Sequence, residues 1–300
     1  MSIVTIPKCP LCGSIKIKPE FTCKDHLASN EEFEVHICMQ CDFLFTNNFP
    51  SNNSIIRYYD DSQYISHSNT KKGFINKIYH LVRAYMVKRK LKFICKQLNK
   101  KTGTILDIGC GTGYFLNEAK RKGWKTFGIE KNGQARNTAT EYFNLFIKPE
   151  AHIYKFSHES FDVITLWHAL EHLENLNDIM EKIHKLLLPE GIAVIAAPNC
   201  NSYDAKYYKT YWAGYDVPRH LWHFTSKTME LLAEKFKFDI VHKKTMPLDA
   251  FYVSLLSEKY RKTNILIASI KAMITGTVSV IKSLYNKDIG SSIIYVLKKR

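Results

Sequence analysis

The sequence predicts an α/β fold, a mostly parallel sheet covered on both faces, with a small cysteine-rich module ahead of it. Three observations carry this reading. Thr104-Ile-Leu-Asp-Ile-Gly-Cys-Gly-Thr-Gly113 is a short apolar run ending in three alternate glycines, and it leads directly into a helical pattern from Tyr114. That order of buried strand, tight turn and helix start is how α/β proteins hold nucleotide-like ligands. Apolar runs such as Val163-Ile-Thr-Leu166 and Ile192-Ala-Val-Ile-Ala-Ala197 alternate with helical patterns, as in a sheet buried on both faces. Two Cys-x-x-Cys pairs stand near the start of the chain.

The 300 residues are 45% apolar, enough for one large domain plus an appendage and too many for a disordered chain. A formal net charge of +15 and a pI near 9.3 point to anionic company: nucleic acid, a phosphorylated substrate or an anionic membrane surface. Met1 to Pro10 has neither the basic segment nor the apolar segment of a secretory signal, so the expected location is cytoplasmic, with a peripheral position at the inner membrane as an extension of it. The most lipid-like stretch, Ile265 to Ile281, is interrupted by Lys271 and falls short of the ~20 residues of a bilayer span, so no transmembrane helix is expected.

Taken in order, residues 1–48 form a zinc ribbon. Cys9-Pro-Leu-Cys12 and, after 25 intervening residues, Cys38-Met-Gln-Cys41 can bring four thiolates to one tetrahedral ion. Four protein ligands leave no open coordination position, so the expected Zn²⁺ is structural. Residues 49–103 are a connection and a docking helix: Asn47 to Lys72 is polar and aperiodic, then Phe74, Ile78, Leu81, Val82, Tyr85 and Met86 recur at helical spacing among lysines and arginines. Strands are expected at Thr104–Ile108, Lys125–Ile129, Phe143–Ile147, Phe161–Leu166, Gly191–Ala197, Phe238–His242 and Ser292–Leu297. Helices are expected at Tyr114–Lys122, Gln134–Tyr142 and Asn177–Leu187, and Met246 to Gly290 is a helical insert.

Asp107 ends the first strand and Glu130 ends the second, 23 residues later, where an acidic side chain is the expected acceptor for ribose hydroxyls. With Gly109, Gly111, Gly113 and the adjacent Lys131 they form the expected cofactor site. His172 follows as a candidate base. The segment Asn199 to Phe224 should fold over the carboxyl edge of the sheet, and it concentrates Trp212, Tyr215, Asp216 and Arg219 as substrate contacts and His220 and His223 as further candidate bases.

Leu106-Asp107-Ile-Gly109-Cys-Gly111-Thr-Gly113, Gly128-Ile-Glu130, Phe161-Asp162-Val-Ile and Leu187-Leu-Pro189-Glu-Gly191 together resemble a class I S-adenosylmethionine-dependent methyltransferase over about Thr104 to Pro198. The resemblance implies a Rossmann-like sheet of seven strands, the last antiparallel between the fifth and sixth. It implies S-adenosylmethionine as cofactor, its methionyl part at the glycine turn, its amino group and ribose at two carboxylates, and Trp167 and His168 after the fourth strand beside it. Residues 104–300 are then the methyltransferase domain, carrying the loop 199–224 and the insert 246–290. The third glycine comes one residue early for a dinucleotide fingerprint.

Trp167-His168-Ala-Leu-Glu171-His172 is similar to the divalent-metal segment of ubiquinone-pathway O-methyltransferases, with His168 where that group has Glu. Sugar C-methyltransferases and some ribosomal RNA guanine methyltransferases also begin with a zinc ribbon. The expected acceptor is small or membrane-borne: a sugar, a quinone or a lipid-linked glycan. The helical insert would then make peripheral contact with an anionic membrane. Two alternatives are an RNA methyltransferase using the ribbon and the basic surface, and a non-catalytic binding module on the same fold. The intact Asp107, glycines and Glu130 weigh against the second.

Overall fold

The computed structural model describes residues 3–51, 54–59 and 74–300. The expected connection therefore lies partly outside the described residues, as do the side chains of Phe74, Ile78 and Leu81 in the docking helix. The N-terminal module comprises β1 (Ile3–Val4), β2 (Ile17–Lys24), β3 (Glu32–Cys38), β4 (Leu44–Thr46) and β5 (Phe49–Pro50); α1 (Phe74–Leu98) follows. The alternating part then runs β6 (Thr104–Ile108), α2 (Tyr114–Arg121), β7 (Lys125–Ile129), α3 (Gly133–Phe143), β8 (Ile147–Lys148), β9 (Phe161–Trp167), α4 (Leu176–Leu186) and β10 (Leu187–Pro198). After it come α5 (Tyr203–Tyr208), β11 (Trp222–His223), α6 (Ser226–Lys235), β12 (Phe238–Thr245), α7 (Pro247–Tyr260), α8 (Ile265–Tyr285) and β13 (Ser292–Lys299).

The main sheet has seven strands in the order β12-β13-β10-β9-β6-β7-β8. β13 pairs antiparallel with both β10 and β12, while β10, β9, β6, β7 and β8 pair in parallel. This is the seven-stranded arrangement that the resemblance implies. Successive residues face opposite sides: Ile105, Val163, Val194 and Val296 pack towards α1 and α2, whereas Leu106, Ile164, Ile195 and Leu297 pack towards α4, α6 and the ribbon. Both faces are dry, which is why the strands read as continuous apolar runs.

Two expectations need correction. The third strand does not begin at Phe143: α3 continues through that residue, Asn144 caps it in the left-handed region at φ 49°, and β8 keeps only Ile147–Lys148. The docking face of α1 is not the one holding Val82 and Tyr85, which are exposed; Leu91 and Ile94 make the buried contact, helped by Val87 and Leu98.

The ribbon is joined to the main domain by backbone pairing. Its sheet has the order β11-β4-β3-β2, so its outer strand comes from residues 222–223, beyond β10 in the chain. Pro10 and Leu11 carbonyls also accept from Lys235 on α6, and Pro10 from Asn177 on α4.

Candidate functional site

The carboxyl ends of β6, β7 and β9 gather the expected cofactor residues. Asp107 is buried at the end of β6 and accepts a 2.6 Å hydrogen bond from Thr165 Oγ1 on β9. Burial pushes its pKa up to about 7, against the Thr165 hydroxyl and the Lys90 ammonium, which favour the anion; Glu130 adds to the rise. Beyond Asp107 the chain turns through Gly109 at φ 73° and Gly111 at φ 53°, a region that glycine enters without strain. A Cβ on Gly109 would come within 2.6 Å of Ala169 Cβ, whereas the Cβ side of Gly111 is open space. The Gly111 N–H donates to Glu130 Oε2 at 2.8 Å, and Oε1 of the same carboxylate accepts from Asn132 N at 2.8 Å. Glu130 thereby locks the glycine turn to the end of β7 and keeps further lone pairs for a ligand. Gly113 stands just before α2, against Leu145 and Ala139, and Lys131 is exposed at the rim beside Glu130.

These residues fit a nucleoside ligand. An open glycine cradle faces a helix start and two carboxylates end adjacent strands. The buried Trp167 Nε1 at the end of β9 donates to no acceptor among the described residues. Asp107, the turn Gly109–Gly113, Glu130 and Trp167 are the residues that would hold it.

Two side chains at this edge were not expected from the sequence. Lys90 on α1 places its Nζ 4.3 Å from the centre of the Trp167 ring. Burial holds its pKa below the usual lysine value, opposed by Asp107 and Asp249. Asp249, in the first turn of α7, meets His168 Nε2 at 3.0 Å, while His168 Nδ1 lies 3.4 Å from Glu171 Oε1. Burial works against the imidazolium, but the hydrogen bond to Asp249 and the Glu171 carboxylate 3.4 Å away overcome it, and His168 rises to about 9. A lysine on a charged helix and an aspartate in an insert carry no local signal, because their role is set by distant pairing.

His172 and His220 come together, edge to face at 4.5 Å between ring centres. With Glu171 they form a group whose ligand atoms all lie within 4.8 Å of one another, a set that could also hold a cation. Glu171 is fully buried, and neither oxygen accepts a hydrogen bond among the described residues. Its pKa stays below the usual carboxylate range even though burial opposes this, because His168, His220 and His172 surround it. His172 Nδ1 is 3.0 Å from the Arg219 carbonyl, and His220 Nδ1 is 2.9 Å from the Gly214 carbonyl. Each Nδ1–H therefore donates; in neutral His172 this leaves Nε2 as the acceptor, whereas His220 Nε2 lies 3.8 Å from Asp216 Oδ2. Burial, with the neighbouring His220, lowers His172 to about 4, so it is neutral at pH 7.

Most of the other side chains expected here are turned into the seam with the ribbon. His223, on β11, hydrogen-bonds Thr46 Oγ1 at 3.0 Å inside the ribbon seam, and burial lowers it to about 3. Arg219 is 1% exposed: Nη2 donates to Asp25 and Asp216, Nε to Asp216 and Nη1 to the Tyr58 carbonyl. Trp212 is 2% exposed and donates to Asp204 at 2.8 Å, and Tyr215 is packed against Trp212 and Phe21. Trp212, Tyr215 and Arg219, expected as substrate contacts, are packed into the join between the ribbon and the main domain, as is His223; Asp216 takes part in that join through Arg219 and also faces His220 Nε2 at 3.8 Å. The density of aromatic and charged side chains in 199–224 reflects an internal interface.

In the ribbon, Cys9 Sγ and Cys41 Sγ are 3.6 Å apart and Cys12 Sγ and Cys38 Sγ 3.5 Å. A tetrahedral ion with metal–sulfur bonds of ~2.3 Å sets sulfur atoms nearly this far apart. Both knuckles close alike, Gly13 N on Cys9 O at 2.8 Å and Asp42 N on Cys38 O at 2.9 Å.

Fold and cofactor edge together define a class I methyltransferase domain. The chain belongs to the methyltransferase-domain family, which it matches over residues 79–243. It is 32% identical over 107 residues to a ubiquinone biosynthesis O-methyltransferase of Psychrobacter cryohalolentis, a match covering 32% of this chain and 41% of that relative. The matched segment thus spans less than half of the relative's length. Among solved structures, a SAM-dependent methyltransferase from Archaeoglobus fulgidus superposes with a TM-score of 0.51 at 20% identity, over 76% of this chain and all of that one. Phosphoethanolamine N-methyltransferase 2 of Haemonchus contortus, solved with S-adenosyl-L-methionine, gives 0.53 at 16% identity, over 94% of this chain and 68% of that one.

Proposed function

We propose that this chain transfers a methyl group from S-adenosylmethionine to a small or membrane-borne acceptor, a hydroxyl or carbon of a quinone precursor, a sugar or a lipid-linked glycan. The observation that carries this is the join of two features at the carboxyl edge of the sheet: the open glycine turn tied to Glu130, and neutral His172 packed edge to face on His220. The cofactor, when bound, supplies an electrophilic sulfonium methyl. The protein supplies alignment, exclusion of water and a proton acceptor. Glu130 would hold the ribose end and Asp107 the amino-acid end, beside Trp167, whose ring is braced edge to face by Phe115. His172 Nε2 takes the acceptor's proton, while the Arg219 carbonyl fixes the tautomer and Glu171 stabilises the imidazolium that forms.

The four cysteines would hold a structural Zn²⁺, which would keep β4 in place as the template for β11. The location that goes with this reading is the cytoplasm, with a peripheral position at the inner membrane as its extension. Incubating the zinc-loaded protein with labelled cofactor and cell extract, then separating RNA, lipid and soluble fractions, tests the reading. Label in the lipid or soluble fraction supports it, and label in RNA alone overturns the acceptor class. Calorimetry that detects no cofactor binding overturns the enzymatic reading itself.

A further inference from the structure

The hairpin of α7 and α8 is built inside out. α8 turns Ala268, Ala272, Thr275, Gly276, Ser279 and Ser283 towards the protein and leaves Leu266, Ile270, Met273, Ile274, Ile281 and Leu284 exposed. α7 repeats the pattern over most of its length, burying Ala250, Ser254 and Ser257, with Glu258 and Tyr260 at its end, while exposing Leu248, Tyr252 and Leu255. A helix on the surface of a water-soluble domain normally does the reverse. Small residues inward and bulky aliphatics outward is the arrangement of a helix whose solvent is hydrocarbon. The inner face is made for close approach: a Cβ on Gly276 would meet the Phe251 ring at 2.5 Å.

The sequence expectation that this stretch is too short for a bilayer is overtaken by the structure. α8 runs 21 residues, Ile265–Tyr285, long and apolar enough to cross a membrane by length and composition. Its attachment argues for a different placement. The inner face is held to the body from Ala268 to Ser283, with Ser279 Oγ donating to buried Asp204 at 2.7 Å, so the helix cannot leave the domain to cross a bilayer without breaking that seam. It can lie in the plane of the interface with its outer side chains among acyl chains.

We propose that the outer face of α7–α8 docks this protein on an anionic lipid surface. Charge selects lipid over a second copy of the chain. α8 has no acidic residue, and exposed Lys262, Lys271, Lys282 and Lys287 stand along it and just beyond its two ends, Lys282 with its ammonium 4.5 Å from the Tyr203 ring centre. Two copies meeting through this face would bring lysines together, whereas acidic headgroups neutralise them. The docked hairpin also reaches the reaction site, since Asp249 in the first turn of α7 is the partner of His168. An acceptor with an apolar tail could then reach the sheet edge without leaving the lipid, a corollary that rests on the methyl-transfer reading above; the docking does not.

Flotation of the full chain with phosphatidylcholine vesicles, with and without phosphatidylglycerol, tests the proposal alongside cofactor calorimetry on the same preparation. Flotation with the phosphatidylglycerol vesicles is expected, weaker without that lipid. I270E/I274E, at two exposed positions, should lose on the order of tenfold or more in vesicle affinity while cofactor affinity is unchanged. Failure of the wild type to float, or unchanged flotation of the variant, overturns docking. So does concentration-dependent self-association that the same substitutions abolish in a protein that ignores vesicles. Flotation without cofactor binding leaves docking standing and removes the methyl-transfer reading; cofactor binding without flotation does the opposite.

Discussion

His168 and Asp249 are 81 positions apart and share a 3.0 Å contact across the carboxyl edge of the sheet. His168 sits above its ordinary pKa, at about 9, so the ion pair stabilises the fold fully below the unfolded value of about 6.5 and fades as pH rises through 9. Thermal unfolding of the wild type should therefore drop between pH 7 and pH 10. In Asp249→Asn this part of the slope should flatten, with a loss on the order of 1–3 kcal/mol near neutral pH. An identical slope in both proteins would assign the pH dependence to other groups.

Glu130 fastens the glycine turn through Gly111 and faces the cofactor side. Glu130→Ala should weaken S-adenosylmethionine binding by roughly tenfold to a hundredfold, as expected for loss of hydrogen bonds to a charged group, with circular dichroism unchanged. Titration calorimetry checks it; retained affinity would remove Glu130 from the site.

Arg219 lies between Asp25 and Asp216, with both its side chain and that of Asp25 essentially buried. Arg219→Leu leaves two carboxylates without their cation and should cost about 3–5 kcal/mol in chemical denaturation. Burial opposes ionisation of Asp25 and Asp216, but Arg219 holds both pKa values below the usual aspartate value. The triad's contribution is therefore present above about pH 4 and disappears as pH falls through those depressed values, and Arg219→Leu should be less acid-sensitive than the wild type. A variant of normal stability that has lost only acceptor affinity would return Arg219 to substrate binding.

Zinc removal should be felt at the reaction edge. Mercurial titration of the thiols should release Zn²⁺, detectable with a chromogenic chelator, and Cys38→Ser should bind less metal. Because β4 carries β11, and the His220 carbonyl accepts from Thr46 at 2.7 Å, the metal-free protein should also lose methyl transfer. Full activity in metal-free protein would uncouple the ribbon from the site.

The sheet was legible because strands such as Ile192–Ala197 are dry on both faces and leave an unbroken apolar run. The glycine turn was legible because its residues are contiguous. The short β8 was misplaced because Phe143 suits a helix end and a strand start equally, and only the left-handed Asn144 decides between them. The role of 199–224 was not legible: Arg219 finds Asp25 across 194 positions and Thr46 reaches His223 across 177, and no periodicity encodes such a pairing. Lys90 and Asp249 were missed for the same reason.

The shared sheet of β4 and β11 also governs how the molecule can be taken apart. A chain begun after residue 50 would strip the partner from Trp222–His223 and bare Trp222 and Phe224, both buried against Phe43. It would present a ragged apolar strand edge to the solution, which is a template for aggregation. The ribbon is therefore an inseparable chaperoning surface for the methyltransferase domain, and truncation should yield insoluble protein where a detachable recognition module would have left a soluble one.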